Sequence, residues 1–269
     1  SVERCLIVEE SDPVLENDVK AIAHSAGLKV EITGLSEGVL PRAGELNPDL
    51  VNRAVAEFAG RAYQPHEAAQ PPALPRRPAN LCAGCPHRAT FYAAKLVTGG
   101  DAHFNTDIGC YALGLLPPLS MGDILMSMGS SINTAAGYAR ATDKPSFAFI
   151  GDSTFFHSGM TGLINAMHNR HDMVLVVMDN RTTAMTGHQP HPGVPMDGSG
   201  NAAPEISIEK LCKATGVDFV ETMNSFDLKG GLDVFRRAVK HKGLAVVISR
   251  GACIFMDRAR LNKRPVFEV

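Results

Sequence analysis

Two stretches decide the fold: Ser-Phe-Ala-Phe-Ile-Gly-Asp-Ser-Thr (146–154) and Met-Val-Leu-Val-Val-Met-Asp-Asn-Arg-Thr (173–182). Each begins as a short apolar run without alternation, the pattern of a strand whose two faces are both covered by helices. Each run then breaks into small polar residues. Between them, 160–169 reads as a helix. Strand, helix and strand in this order make neighbouring parallel strands, so Asp152 and Asn180 are expected at the same sheet edge.

Working outward, the pattern repeats. Helices are expected over 88–97, 132–140, 208–216 and 228–241, and strands over 103–106, 218–221 and 244–249. The fold class is α/β: a doubly wound, mostly parallel sheet over 81–269, preceded by a small α/β domain over 1–62. In that first domain, strands are expected at 5–8 and 29–33. Asp12-Pro13 looks like a helix start, with Asp12 as N-cap, and Val14, Val19, Ile22 and Ala23 follow at helical spacing up to Gly27. Asn47-Pro48 starts a second helix. Between the domains, 63–80 carries Pro65, Pro71, Pro72, Pro75 and Pro78 and reads as an extended linker, because proline removes backbone donors and forbids helix.

Composition narrows the function classes. The chain has 269 residues, 45% hydrophobic and 20% charged, enough apolar material for a large core and unlike a disordered chain. A net charge of -2 leaves no basic surplus for binding nucleic acid. No apolar run approaches the roughly 18–20 residues that span a bilayer, so no membrane is expected. The chain opens on Ser-Val-Glu-Arg-Cys with neither an initiator Met nor a signal-peptide pattern, and is read as a fragment, a processed chain or a subunit. The cytoplasm is the expected location. There, the pair Cys82 and Cys85 points to a metal, cluster or redox site rather than a disulfide.

The chemistry gathers at the strand tips. A carboxylate, an amide oxygen and a nearby backbone carbonyl are hard oxygen donors that suit Mg²⁺, which keeps few protein ligands and fills its octahedron with phosphate and water. Gly151 lets the backbone approach a phosphate, and Ser153 and Thr154 offer hydroxyl donors. The plainer alternative has Asp152 capping the next helix and Asn180 making a turn. Cys82, Cys85, Cys110 and Cys253 all fall in expected sheet-edge loops, where four thiolates would suit a 4Fe–4S cluster or tetrahedral zinc. Cys212 is the alternative fourth ligand, though a buried structural thiol suits its amphipathic helix better. Cys5 is expected in the core of the first domain, and Met121, Met126 and Met128 are expected to pack. Glu9 and Glu10 are expected to be structural, and His168 and His171 to lie at the surface.

Gly-Asp-Ser-Thr-Phe-Phe-His-Ser-Gly (151–159) and Asp-Asn-Arg-Thr-Thr-Ala-Met-Thr-Gly-His-Gln-Pro-His-Pro-Gly (179–193) closely resemble the large subunit of indolepyruvate:ferredoxin oxidoreductase. So do Leu-Cys-Ala-Gly-Cys-Pro-His-Arg-Ala-Thr-Phe-Tyr (81–92), Asp-Ile-Gly-Cys-Tyr (107–111) and Val-Glu-Glu (8–10). The resemblance implies a thiamine diphosphate-binding fold. Mg²⁺ would be held by Asp152, Asn180 and the carbonyl of Thr182, and the diphosphate lined by Gly151, Ser153 and Thr154. Gly109, Met128, Gly129 and Ser130 would also border the cofactor. It further implies a 4Fe–4S cluster on Cys82, Cys85, Cys110 and Cys253. His87, His157, His188 and His191 all lie in the resembling strings, and His188 and His191 are the favoured catalytic candidates. The implied reaction is oxidative decarboxylation of a 2-oxo acid such as indolepyruvate, with coenzyme A taking the acyl group and ferredoxin the electrons. A partner chain or domain would supply the pyrimidine-binding part, giving a hetero-oligomer. Two other functions stay open: a non-oxidative thiamine-dependent decarboxylase, and a non-catalytic scaffold holding zinc or a cluster.

Overall fold

The computed structural model describes residues 2–65, 73–75 and 77–256. It divides into two compact units, Ser1–Arg76 and Arg77–Val269. Expectations for 66–72 and 76, within the proline-rich linker, and for 257–269 lie outside the described residues.

In the first unit, strands β1 (Arg4–Leu6) and β2 (Glu31–Thr33) pair in parallel across helix α1 (Val14–Ser25). Helix α2 (Pro48–Phe58) starts as the sequence suggests, with Asn47 accepting from the Leu50 amide at 3.0 Å and Pro48 in the first turn. The start of α1 differs. Pro13 takes the cap position and Asp12 makes no side-chain cap. The carboxylate of Glu9 reaches in instead, accepting from the amides of Leu15 at 2.8 Å and Glu16 at 2.9 Å. Glu10 accepts from the Leu46 amide at 2.7 Å, so both glutamates serve backbone donors. The apolar stripe of α1 is not its buried face: Val14 and Ile22 stay exposed, while Glu16 and Ala23 are buried. The core of this unit is small, built on Leu35, Leu40 and Ala54, and Cys5 is only half-buried.

The second unit is a three-layer sandwich. Its sheet runs β3 (His103–Asn105), β4 (Ser146–Gly151), β5 (Met173–Asp179), β7 (Leu244–Arg250) and β6 (Phe219–Asn224), every pair parallel. Alternate residues of the central strands enter two separate cores. Phe147, Phe149, Val174, Val176, Met178, Ala245 and Val247 face helices α3 (Pro86–Thr98) and α8 (Leu228–Lys240). Ala148, Ile150, Leu175, Val177, Val246 and Ile248 face α4 (Ser131–Ala141), α6 (Met160–His168) and α7 (Ile208–Ala214). Strands with a helix layer on each side need apolar residues at every position, which is why the expected runs carried no alternation.

Helix structure also begins earlier than expected after β4. A single α turn, α5 (Asp152–Thr154), leads through a π-helical turn at Phe155–Gly159 into α6. Such π turns often occur where a helix serves a site. Among the described residues no helix is long and apolar enough to cross a membrane.

Candidate active site

The carboxyl ends of β4 and β5 are neighbours, with Gly151 paired to Met178, so Asp152 and Asn180 follow adjacent strand tips. Asp152 is 2% exposed. Its Oδ1 accepts from the Ser153 amide at 2.8 Å and its Oδ2 from the Arg181 amide, in the loop after β5, at 2.7 Å. The capping alternative fails, because Gly151 holds the cap position and no side chain caps the turn. Asn180 does make a local turn, its Oδ1 accepting from the Thr182 amide at 3.2 Å, and its Nδ2 donates to Nε2 of His87 at 3.3 Å. Burial lowers the His87 pKa to about 4, against a smaller opposing pull from Asp152, so the ring is neutral near pH 7.

These groups line one cavity of about 160 Å³, together with Gly109, Met128, Gly151, Ser153, Thr154 and Thr182. Gly151 is also required by close packing. A Cβ there would stand 2.6 Å from Cε1 of Tyr111, and one at Gly109 would stand 2.3 Å from the same atom. That ring is pinned by its hydroxyl, which donates to the Ile108 carbonyl at 2.7 Å, and it meets His87 edge-on at 5.7 Å. Burial pushes the Tyr111 phenol well above its ordinary pKa.

Met128 lines the cavity, whereas Gly129 and Ser130 build the turn behind it. Gly129 has φ 87° and packs on Ser158, and the Ser130 hydroxyl is engaged with the Ser127 carbonyl at 2.8 Å. The turn is anchored by the buried carboxylate of Asp107. It accepts from the amides of Ile108 at 2.8 Å, Gly129 at 2.7 Å and Ser131 at 2.9 Å. Neither Asp107 nor Tyr111 was singled out from the sequence. The position of Asp107 just past β3, at the same edge as Asp152, was the available signal. Of Met121, Met126 and Met128, all expected to pack, Met121 is in the core, whereas Met126 and Met128 are exposed.

A second cavity, of about 310 Å³, is lined by Cys82, Cys85, Cys110 and Cys253. It shares His87, Cys110, Asn180, Ala184 and Met185 with the first. Burial raises the Cys85 pKa to about 11, with Cys82 and Cys110 adding to the rise, and it raises Cys110 likewise, with Cys253 and Cys82 contributing. Among the described residues no group of three His, Cys, Asp or Glu side chains is placed to hold a metal ion. Cys212 is fully buried in the core against α4 and α6, away from this cavity, and burial lifts its thiol to about 12.

The two histidines favoured as catalytic do not line the cofactor cavity. His188, with φ 66°, faces the cysteine cavity near Phe255, their rings 6.0 Å apart. His191 is buried behind Asp152: Nε2 lies 3.0 Å from Oδ2, without the angle of a hydrogen bond, and Nδ1 accepts from the Gly193 amide at 3.1 Å. Among the described residues no Lys or Arg pairs with Asp152. His157 is held by Nδ1 at 2.7 Å from the Ser153 carbonyl. His168 is exposed and His171 half-buried.

Comparison with known proteins agrees with this geometry. The chain is 48% identical over 271 residues to the "Indolepyruvate oxidoreductase subunit IorA" of Methanothermobacter thermautotrophicus, covering 98% of this chain and 44% of that one. It is 37% identical over 297 residues to the subunit of the same name from Pyrococcus abyssi, covering 100% of this chain and 45% of that one. The chain thus spans less than half the length of these curated relatives. Among solved structures, a 2-oxoglutarate:ferredoxin oxidoreductase from Magnetococcus marinus superposes with a TM-score of 0.58 at 18% identity, over 66% of each chain, a likeness of fold. The family model "Thiamine pyrophosphate enzyme, C-terminal TPP binding domain" matches residues 107–249, a span that opens on Asp107 and holds both strand tips. With more than half its length inside that match, the chain belongs to the thiamine pyrophosphate enzymes.

Proposed function

We propose that this chain is the thiamine diphosphate-binding part of a 2-oxoacid:ferredoxin oxidoreductase acting on an aryl pyruvate such as indolepyruvate, with coenzyme A as acyl acceptor. The observation that carries the reading is the shared wall: His87, Cys110 and Asn180 border both the cavity at the strand tips and the cavity of four cysteines.

The residues fit the groups this function needs. Asp152 is a buried acid with no Lys or Arg partner among the described residues, an arrangement that a divalent cation would balance. In this reading Asp152, the Oδ1 of Asn180 and the carbonyl of Thr182 hold Mg²⁺, while Ser153 and Thr154 face the diphosphate. The cofactor, when bound, supplies the electron sink for loss of carbon dioxide. The protein's part is to fix Asp152 through the amides of Ser153 and Arg181, and to set the wall with Tyr111 and Asp107. A 4Fe–4S cluster suits the second cavity better than zinc. Zinc would draw four sulfurs to about 2.3 Å from one point, whereas these four line a cavity of about 310 Å³. A cluster also gives electrons an exit beside the cofactor, which favours oxidative chemistry over simple decarboxylation. We assign the pyrimidine-binding part to a partner domain or subunit, ferredoxin as the electron acceptor, and the cytoplasm as the location, consistent with six unpaired cysteines.

The test is calorimetry of the full-length enzyme with thiamine diphosphate and Mg²⁺. Asp152→Asn should remove Mg²⁺-dependent binding. Unchanged affinity in that variant would refute the reading.

A further inference from the structure

Asn180 is held from three sides, and two of the contacts come from cysteine-bearing segments. Its side-chain Nδ2 donates to His87 Nε2 at 3.3 Å, and His87 stands two residues after Cys85 at the start of α3. Its main-chain carbonyl accepts from the Cys253 amide at 3.0 Å. Its Oδ1 accepts from the Thr182 amide at 3.2 Å. An asparagine amide has nearly the same shape after a half-turn, so packing alone does not decide whether oxygen or NH₂ faces a given group. Here two contacts decide it by polarity: an N–H meets the oxygen, and an imidazole nitrogen with a free lone pair meets the NH₂. The imidazole is 3% exposed and held edge-on to Tyr111, so its own orientation is fixed.

We propose that His87 is a positioning residue for Asn180, holding the amide with its oxygen available to the metal of the diphosphate site. The inference rests on Asn180 being a metal ligand, as proposed above. Through this bond the segment that carries Cys82 and Cys85 is mechanically joined to the cofactor site. Without the acceptor, the NH₂ becomes a buried unpaired donor and the amide is fixed only by the Thr182 amide, so its plane and its oxygen are no longer held toward the cation.

The test is the Mg²⁺ concentration that half-saturates thiamine diphosphate binding in the full-length enzyme, read by calorimetry for His87→Leu and His87→Gln beside Asp152→Asn. The Leu variant should need roughly tenfold more Mg²⁺, the low end for losing an outer partner of a metal ligand. Gln, whose carbonyl oxygen can accept the same hydrogen, should return close to the parent value. If Leu does not fold, His87→Asn replaces it: its amide is too short to reach and should show the same rise. An unchanged Mg²⁺ requirement in Leu or Asn, or an equal rise in Gln, overturns the proposal, since His87 would then only fill space. Retained binding in Asp152→Asn overturns the metal-site reading and this inference together; its loss, with no effect at His87, overturns the inference alone.

Discussion

Glu16 shows how one residue can organise its surroundings. Its carboxylate is fully buried in the first unit, yet it is charged: it bonds Lys20 Nζ at 2.6 Å and accepts from the Ser36 amide at 3.0 Å. Burial alone would raise its pKa, but Lys20 and Ser36 outweigh that and bring it from 4.5 to about 2. A carboxylate more acidic in the folded state than in the unfolded one stabilises the fold above its unfolded pKa. That contribution is complete above about pH 4.5 and is lost as pH falls toward about 2. Glu16→Gln should therefore flatten the acid side of the stability profile of this unit while lowering its stability at neutral pH. Hydrogen exchange at the Ser36 amide across that range checks it; a parent protein whose Ser36 protection does not fall on acidification would contradict the assignment. Gly34 shares the constraint, since a Cβ there would meet Glu16 Oε2 at 2.6 Å.

At the scale of elements, β4 carries the most. Phe149 is fully buried, lies 4.8 Å from Phe91 of α3 and 5.9 Å from Phe147, and its strand is paired on both edges. Phe149→Ala should cost about 3–5 kcal/mol, the range for emptying a large aromatic site in a packed core, measured as a shift in the denaturant midpoint at unchanged slope. The same double burial made the sheet legible in the sequence: continuous apolar runs such as 173–178 can only be strands between two helix layers, and β5 extends just one residue past that run. What was not legible depends on contacts distant in the chain. Asp152–Thr154 show in the sequence only as small polar residues after a strand, yet they form a helical turn in which Asp152 also accepts from the distant Arg181 amide. The cap of α1 was assigned to Asp12 by proximity, but Glu9 reaches it from the end of β1. The sheet edge with Asp152 and Asn180 was visible as two strand ends, while Tyr111 and Asp107 gain their roles only by folding against glycines and amides elsewhere. His191 was visible as a histidine near the site but not as a residue behind it.

For the whole molecule, the arrangement of cavities matters more than either cavity alone. Under the proposed function, electrons leave the cofactor in pairs and enter carriers that take them singly, which works only if the carrier is close and the water between them is excluded. Here His87, Cys110, Asn180, Ala184 and Met185 line both spaces, and Asn180 is tied to the segment after β7 through the Cys253 amide. The cysteines can be sorted by the same geometry. Cys253 lines the second cavity from the segment after β7, whereas Cys212 packs in the opposite core. Cys253→Ser should therefore lower the iron and acid-labile sulfide of anaerobically purified enzyme and weaken its cluster signal in electron paramagnetic resonance, while Cys212→Ser should leave both at the parent level and cost stability only. Equal iron content in the parent and Cys253→Ser proteins would mean that the four-thiol cavity holds no cluster, and the enzyme would then be a thiamine-dependent decarboxylase whose cysteines serve packing.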